Sequence, residues 1–198
     1  MELVGRNRSP FVRRVAISAA ALGIELSFND LSIRADRDKV DALNPIGRVP
    51  ILILDDGERL IDSAAILDYF DEFVGPARAL LPPHGASRRR ALQLTILATG
   101  IADRAIQALN APDPDSEHAQ RHVRLVRAGM AELDAAINGQ PWFLGDRLRQ
   151  PDISASVAVT FIRDRLPEAL PLGDFPALSA LTTRCERLDP FLAAPTPD

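Results

Sequence analysis

The feature that most restricts the fold is a change of pattern part-way along the chain. Residues 1–75 alternate strand-like and helix-like segments, whereas the pattern beyond Gly85 is helical throughout. Between them lies a stretch rich in proline and glycine, residues 75–85. A compositional shift of this kind is typical of a linker between domains. The sequence therefore predicts a small α/β domain at 1–75, a linker at 76–85 and an all-helical domain at 86–198.

Within the first domain the pattern predicts the order β-α-β-α-β-β-α. A strand at 2–4 precedes a helix that begins at Pro10 and ends before Gly23, positions that suit a helix start and a helix stop. The remaining elements follow along the chain: a strand within 25–31, a short polar helix within 34–43, a hairpin around 55–57 and a helix after Asp62. This order gives a small mixed sheet with helices packed on it.

The loop after the first strand could stabilise an anion. Ser9 is a preferred N-cap residue, and Pro10 has no N–H to leave unpaired at the first helical position. The helix dipole and the free backbone N–H groups at this end would favour a thiolate or a carboxylate, and Arg6 and Arg8 lie in the same loop. An ordinary capped helix is the alternative interpretation of the same residues.

Composition excludes several functional classes. The net charge of −4 argues against nucleic acid as the main partner, since phosphate binding needs a basic surface. Apolar runs are all shorter than the ~20 residues that cross a bilayer, and no secretory signal is visible. A lone cysteine, Cys185, agrees with a reducing compartment. We therefore expect a cytoplasmic protein with no membrane partner.

Helices are expected in the second domain at 86–110, 116–137, 153–166 and 175–188. Before the third of these, Arg149 occupies the N-cap position, where serine or threonine is usual, three residues before Asp152. His118 and His122 are four residues apart, a spacing compatible with a metal. Because no set of Glu or Cys accompanies them, we interpret the pair as part of a solvated helix face and predict no metal site.

Five short motifs, on the expected elements and in the expected order, resemble those of the glutathione transferases. In chain order they are Ser9-Pro10-Phe11-Val12-Arg13-Arg14-Val15, Asn44-Pro45-Ile46-Gly47-Arg48-Val49-Pro50-Ile51-Leu52, Asp62-Ser63-x-x-Ile66-x-x-Tyr69, Pro151-Asp152-Ile153 and Phe175-Pro176. Each motif is weak alone, and the ordered set carries the resemblance. It implies a thioredoxin-like N-terminal domain followed by an all-α helical bundle.

The resemblance also assigns roles to residues of the first domain. Ser9 would donate a hydrogen bond to the glutathione sulfur. Pro50 would be a cis proline that leaves the backbone of Val49 free to pair with the cysteinyl unit. Ser63 would hold the carboxylate of the γ-glutamyl unit, and Asp62 would lie near the amino group of that unit.

The same resemblance gives weaker assignments elsewhere. Arg48 could reach the glycyl carboxylate of glutathione, and Phe11 is a possible cleft residue. Asp103 corresponds to an acidic position that lines the cleft in relatives, although an exposed helical aspartate is an equally good interpretation.

The function implied is that of a dimeric glutathione transferase. Its second domain would bind a small hydrophobic electrophile, glutathione would be the cosubstrate, and no other cofactor is expected. Serine cannot form a mixed disulfide, so a thioredoxin-like reductase is disfavoured. Two alternatives stay open: a non-catalytic protein of the same fold that acts as a binding or regulatory subunit, and a specialised glutathione-dependent isomerase or dehalogenase.

Overall fold

A computed structural model of the protein describes residues 1–145, 147–168 and 170–196. These residues form two compact units, which are treated separately below. One unit contains residues 1–80 together with the described part of 188–198, and the other contains residues 81–187. The domain limits predicted from the sequence stay a prediction.

The first unit contains a four-stranded sheet of order β2-β1-β3-β4, with helices on it. Strand β1 is parallel to β2 and antiparallel to β3, and β3 is antiparallel to β4. The elements in chain order are β1 (Glu2–Val4), α1 (Pro10–Leu22), β2 (Ser27–Asn29), α2 (Arg37–Leu43), β3 (Ile51–Ile53), β4 (Arg59–Ile61) and α3 (Ser63–Val74). This is the thioredoxin-like α/β arrangement that the sequence predicts.

The core of this unit lies where helices α1 and α3 pack against each other and the sheet. Leu3 of β1 is paired in register with Leu52 of β3, and both side chains are fully buried. Ile17 and Phe70 are equally buried on the two helices. Burying a side chain of this size stabilises the fold by about 1.5–3 kcal/mol, so the core fixes the strand ends from which the loops begin.

The second unit is helical, as predicted. Its elements are α4 (Gly85–Leu109), α5 (Glu117–Ile137), α6 (Gln150–Arg165), a 3-10 turn (Leu172–Asp174) and α7 (Pro176–Cys185). Helices α4 and α5 approach closely at Gly129, where a Cβ atom would lie 2.7 Å from Cγ1 of Ile101. Among the described residues, no helix is long and apolar enough to cross a membrane.

The last predicted helix, 175–188, is divided in the structure. Helix α7 ends at Cys185, and a separate helix α8 (Asp189–Leu192) follows the extended residue Leu188. Pro190 stands in the first turn of α8, where a proline starts a helix and would interrupt a continuing one. Helix α8 packs on α1 within the first unit.

Arg13 attaches this C-terminal segment to α1. Its Nε atom donates a 2.9 Å hydrogen bond to the carbonyl oxygen of Ala194, and its guanidinium lies 5.7 Å from the ring centre of Phe191. Arg13 is 3% exposed. The buried charge is therefore paired with a backbone dipole and an aromatic face, both of which attract it.

Helix α6 begins at Gln150, three residues before the predicted start, because Asp152 organises the turn. Its two carboxylate oxygens accept hydrogen bonds of 2.9 Å each from the backbone N–H groups of Phe143 and Arg149. Asp152 is fully buried, and this burial raises its pKa to about 6 although the hydrogen bonds oppose the shift. Arg149 is the N-cap residue, and the bond from its backbone N–H to Oδ2 of Asp152 is the one that the third helical residue makes in a capping box.

We predict that Asp152→Asn lowers the free energy of unfolding by about 2 kcal/mol, because an amide has only one oxygen to accept from two buried N–H groups. The substitution also removes a titration. Since the folded-state pKa of about 6 lies above the ordinary value of 3.8, wild-type stability should fall as pH rises from about 4 to about 6. Urea unfolding across this pH range measures both effects.

Asp134→Asn is a matched control for this experiment. One oxygen of Asp134 accepts from the N–H of Leu178 at 2.8 Å, a bond that an asparagine oxygen can keep. This variant should retain wild-type stability to within about 0.5 kcal/mol. An Asp152→Asn protein that unfolds with the wild-type pH profile would contradict the role given to Asp152.

Candidate functional site

A close contact at Gly5 joins three segments of the first unit. Gly5 follows β1 with φ +125°, and its N–H donates to the carbonyl oxygen of Asn29 at 2.9 Å. A Cβ atom at this position would lie 2.7 Å from Cγ2 of Val12 and 2.9 Å from Cβ of Val49. Only a residue without a side chain fits there. The end of β1, the first turn of α1 and the loop that carries Val49 therefore lie in contact.

Ser9 is at the N-cap of α1, as predicted, but its hydroxyl does not cap the helix. Its backbone is extended, with φ −79° and ψ 125°, and its carbonyl oxygen accepts from the N–H of Arg13 at 2.9 Å. Among the described residues, nothing is hydrogen-bonded to the Ser9 hydroxyl. A half-buried hydroxyl at the positive end of a 13-residue helix is thus available to a ligand.

The Val49–Pro50 peptide bond is cis, as the resemblance implied. Within the described parts of the chain, the backbone N–H and C=O of Val49 make no hydrogen bond. Pro50 is buried and Val49 is half-buried. The segment therefore presents an unpaired peptide unit directly before β3, of the kind to which an extended ligand can add.

Asn44 shapes this loop, a role that sequence reasoning did not assign although the residue lies in the second motif. It is fully buried. Its Nδ2 atom donates to the carbonyl oxygen of Arg48 at 2.8 Å, and its Oδ1 atom accepts from the N–H of Ile46 at 3.2 Å. The signal that could have revealed it is the Asn-Pro pair, because asparagine side chains commonly bond the backbone of turns.

Asp62 and Ser63 form the start of α3. Asp62 is the N-cap and accepts a 2.8 Å hydrogen bond from the N–H of Ala64, while its backbone has φ 70°, unusual for a residue other than glycine. Ser63 is the first helical residue and is 2% exposed. Its hydroxyl makes no hydrogen bond within the described residues. Strained backbone of this kind is concentrated at ligand sites.

Arg14 is a buried cation that sequence reasoning named only as part of a motif. It is 4% exposed, and its Nε and Nη1 atoms have no hydrogen-bond partner among the residues that the structure describes. Burial lowers the pKa of Arg14 to about 10, whereas the carboxylate of Asp62 acts in the opposite direction. The buried positive charge on α1 is therefore coupled electrostatically to the start of α3.

The other predicted residues are less constrained. Arg48 is exposed in the loop before Val49, and Phe11 is half-buried in the first turn of α1. Asp103 is an exposed residue of α4 in the second unit. Arg6 donates from Nε to the carbonyl oxygen of Asp30 at 3.0 Å, so it holds the loop after β1 to the end of β2.

Family profiles match both halves of the chain. The profile described as "Glutathione S-transferase, N-terminal domain" matches residues 3–77, and that described as "Glutathione S-transferase, C-terminal domain" matches residues 92–189. The chain belongs to the glutathione S-transferase family. The roles of individual site residues in this glutathione S-transferase stay predictions.

Three relatives illustrate the likeness. The GST-like protein YibF of Escherichia coli K12 is 39% identical over 104 residues, 52% of this chain and 50% of that protein. The match therefore spans about half the length of that relative. Maleylacetoacetate isomerase of Pseudomonas aeruginosa is 30% identical over 166 residues, 77% of each protein. A glutathione S-transferase structure from Methylobacillus flagellatus KT with GSH bound has a TM-score of 0.90 at 25% identity, covering 98% of this chain and 99% of that one.

We predict that Gly5→Ala destabilises the protein by about 2–4 kcal/mol, because the new methyl group would collide with Val12 and Val49 while the backbone keeps a strained φ. Gly57→Ala is the matched control. Its φ is also positive, +90°, but nothing lies within 4 Å of the added atom, so only the backbone cost of about 1–2 kcal/mol is expected. Urea unfolding of the two variants compares them. Equal losses would show that the contact at Gly5 is unimportant.

Proposed function

We propose that the protein is a glutathione transferase in which the hydroxyl of Ser9 activates the glutathione thiol. The observation that carries this proposal is the position of that hydroxyl at the start of α1, where it makes no cap bond. A serine that served only as a helix cap would use its oxygen on a backbone N–H of the first turn. The Ser9 hydroxyl is not held to the first turn by such a bond, so it can rotate to donate its proton to a sulfur atom.

The decrease in the thiol pKa that Ser9 has to produce is modest. A free thiol has a pKa of about 8.5, and about 2 kcal/mol of extra stabilisation of the anion lowers that by between one and two units. A donated hydrogen bond and the N-terminal dipole of α1 together supply energy of this order. The protein then presents a thiolate at neutral pH, and binding aligns it with the electrophile.

Recognition of glutathione itself would use the other unpaired groups of the first unit. The free peptide unit of Val49 would pair with the cysteinyl backbone in the manner of an added strand. The Ser63 hydroxyl and the N-terminus of α3 suit the γ-glutamyl carboxylate, whereas the carboxylate of Asp62 suits the amino group. Arg48 would bind the glycyl carboxylate. The side chain of Arg48 is exposed, which suits a contact with the end of the ligand.

The remaining parts of the proposal follow the family. The second substrate would be a small hydrophobic electrophile, and the working form a cytoplasmic homodimer without a further cofactor. Support comes from the GSH bound in the Methylobacillus flagellatus structure, which is 25% identical to this chain. Light scattering tests the homodimer directly, and a monomer would remove that part of the proposal.

We predict that Ser9→Ala lowers kcat/KM for conjugation of an aryl halide by roughly 10- to 100-fold, corresponding to about 1.4–2.7 kcal/mol. The pKa of the bound thiol, followed by thiolate absorbance, should rise by about one unit because the donor is lost. Glutathione affinity, measured by calorimetry, should change little, since most of the contacts proposed for glutathione lie elsewhere.

Ser116→Ala is the control for loss of a serine at a helix start. The Ser116 hydroxyl accepts from the N–H of Ala119 at 3.2 Å, so that variant should lose stability but keep its activity. Unchanged conjugation by Ser9→Ala would exclude Ser9 as the activator. Glutathione binding without turnover in the wild type would instead favour a binding or regulatory protein.

We also predict that Asp62→Asn weakens glutathione binding at least tenfold while leaving kcat nearly unchanged. Asparagine can still accept from the N–H of Ala64, so the substitution removes the charge and keeps the cap. The specific test uses a glutathione analogue without the γ-glutamyl amino group. The wild type should bind it at least tenfold more weakly than glutathione, and the variant should not distinguish the two. If the variant still binds glutathione more tightly than the analogue, the amino group must bind at a residue other than Asp62.

The second candidate is a glutathione-dependent isomerase. It is favoured by the 30% identity to maleylacetoacetate isomerase, which extends over 77% of both chains. Isomerisation needs the same activated thiolate, which adds to a double bond and leaves after rotation. An assay with maleylacetoacetate and glutathione separates the candidates: glutathione is regenerated by an isomerase and consumed by a transferase.

A further inference from the structure

The sequence predicts a solvated face for both histidines of α5, and the structure confirms this for His118 but not for His122. His122 is 3% exposed, whereas His118, one turn earlier on the helix, is exposed to solvent. Residues four apart on a helix lie on the same face. The pair therefore joins a buried imidazole to one that solvent can reach.

The two rings meet through the same kind of nitrogen. The Nε2 atoms of His118 and His122 are 3.2 Å apart, the ring centres are 4.6 Å apart, and the planes are inclined by 73°. Two zinc–nitrogen bonds of about 2.0–2.1 Å meeting at roughly 100° would separate the nitrogens by about 3.2 Å and the ring centres by about 5 Å. Both measured distances are close to these values.

Without metal, the 3.2 Å contact is a hydrogen bond between the rings, with one Nε2 atom as donor and the other as acceptor, and a bound metal would replace it. With both ring axes along the line of a straight N–H···N bond, centres would lie about 5.5 Å apart at this nitrogen separation. The measured 4.6 Å shows that the ring axes bend away from that line.

We propose that His118 and His122 form a two-histidine chelate for a divalent transition metal such as Zn²⁺, Ni²⁺ or Cu²⁺. Paired histidines with this helical spacing bind zinc in other proteins. Within residues 1–145, 147–168 and 170–196, no group of three or more His, Cys, Asp or Glu is placed to hold a metal. The metal would link the first two turns of α5. Water molecules would complete its coordination, and these could exchange with other ligands.

Neighbouring charges decide which metals would bind. The guanidinium groups of Arg104 and Arg121 lie close enough to the His122 ring to act on it electrostatically. The same two guanidinium groups repel a cation. Metals that bond strongly to imidazole nitrogen can overcome that repulsion, whereas Mg²⁺ and Ca²⁺, which prefer oxygen ligands, cannot.

The second coordination shell limits the affinity. Metal binding at Nε2 places the remaining ring proton of His122 on Nδ1, a buried atom that has no hydrogen-bond partner in the described part of the chain. Metal-ligating histidines usually donate that proton to a carboxylate or a carbonyl. We therefore expect a dissociation constant in the micromolar rather than the nanomolar range.

The test is calorimetric titration of the untagged full-length protein with NiCl₂ and with ZnCl₂. One equivalent of metal should bind, and the midpoint of thermal unfolding should rise with metal. His118→Ala should weaken binding at least tenfold. Because His118 is exposed, its replacement should leave the protein folded. His84→Ala removes the third histidine of the chain, an exposed residue before α4, and should bind as the wild type does.

Two results would overturn the proposal: a wild-type protein that binds neither metal at millimolar concentration, or a His118→Ala protein that binds like the wild type. MgCl₂ serves as the negative probe and should produce no heat of binding. Binding of Mg²⁺ as tight as that of Ni²⁺ would also exclude an imidazole chelate. None of these readouts depends on glutathione or on Ser9.

Discussion

The glutathione site proposed here depends on one close approach of backbone to side chain at Gly5. Without a Cβ atom, Gly5 allows Val12 of α1 and Val49 of the cis-proline loop to pack against the chain just after β1. Each of these segments carries one unpaired polar group: the Ser9 hydroxyl before α1 and the Val49 peptide unit before β3. Their proximity is a consequence of packing, since neither segment would fix the position of the other alone.

Neighbouring arginines on α1 show how position on a helix gives two buried charges different surroundings. Arg13 and Arg14 are both buried, and successive residues point about 100° apart around the axis. Arg13 is paired with the carbonyl of Ala194 and the ring of Phe191, so it anchors the C-terminal segment. Arg14 keeps two unpaired nitrogen atoms and interacts with the charge of Asp62. An incompletely paired buried charge is costly, and such charges are concentrated at functional sites.

Helix starts in this protein use similar residues in different ways. Ser116 and Asp62 accept hydrogen bonds from the turn that follows, whereas Ser9 does not. At α6 an arginine occupies the N-cap, and the buried carboxylate of Asp152 binds the N–H groups of both Arg149 and Phe143. Caps that look equivalent in the sequence therefore differ in whether their polar atoms remain available.

The sequence by itself determined the order of elements, because hydrophobic periodicity and the proline and glycine positions are local signals. It also located the motifs at Ser9, Val49 and Asp62, with a cis bond at Pro50 implied by resemblance and present in the structure. It did not reveal the loop-shaping bonds of Asn44, the buried charge of Arg14, the break before α8 or the burial of His122. Local signals existed for two of these features, the Asn-Pro pair at Asn44 and Pro190 at the start of α8, whereas the burial of Arg14 and His122 depends on which side chains meet across the fold. Contact between residues distant in sequence follows from packing, which only the tertiary structure decided.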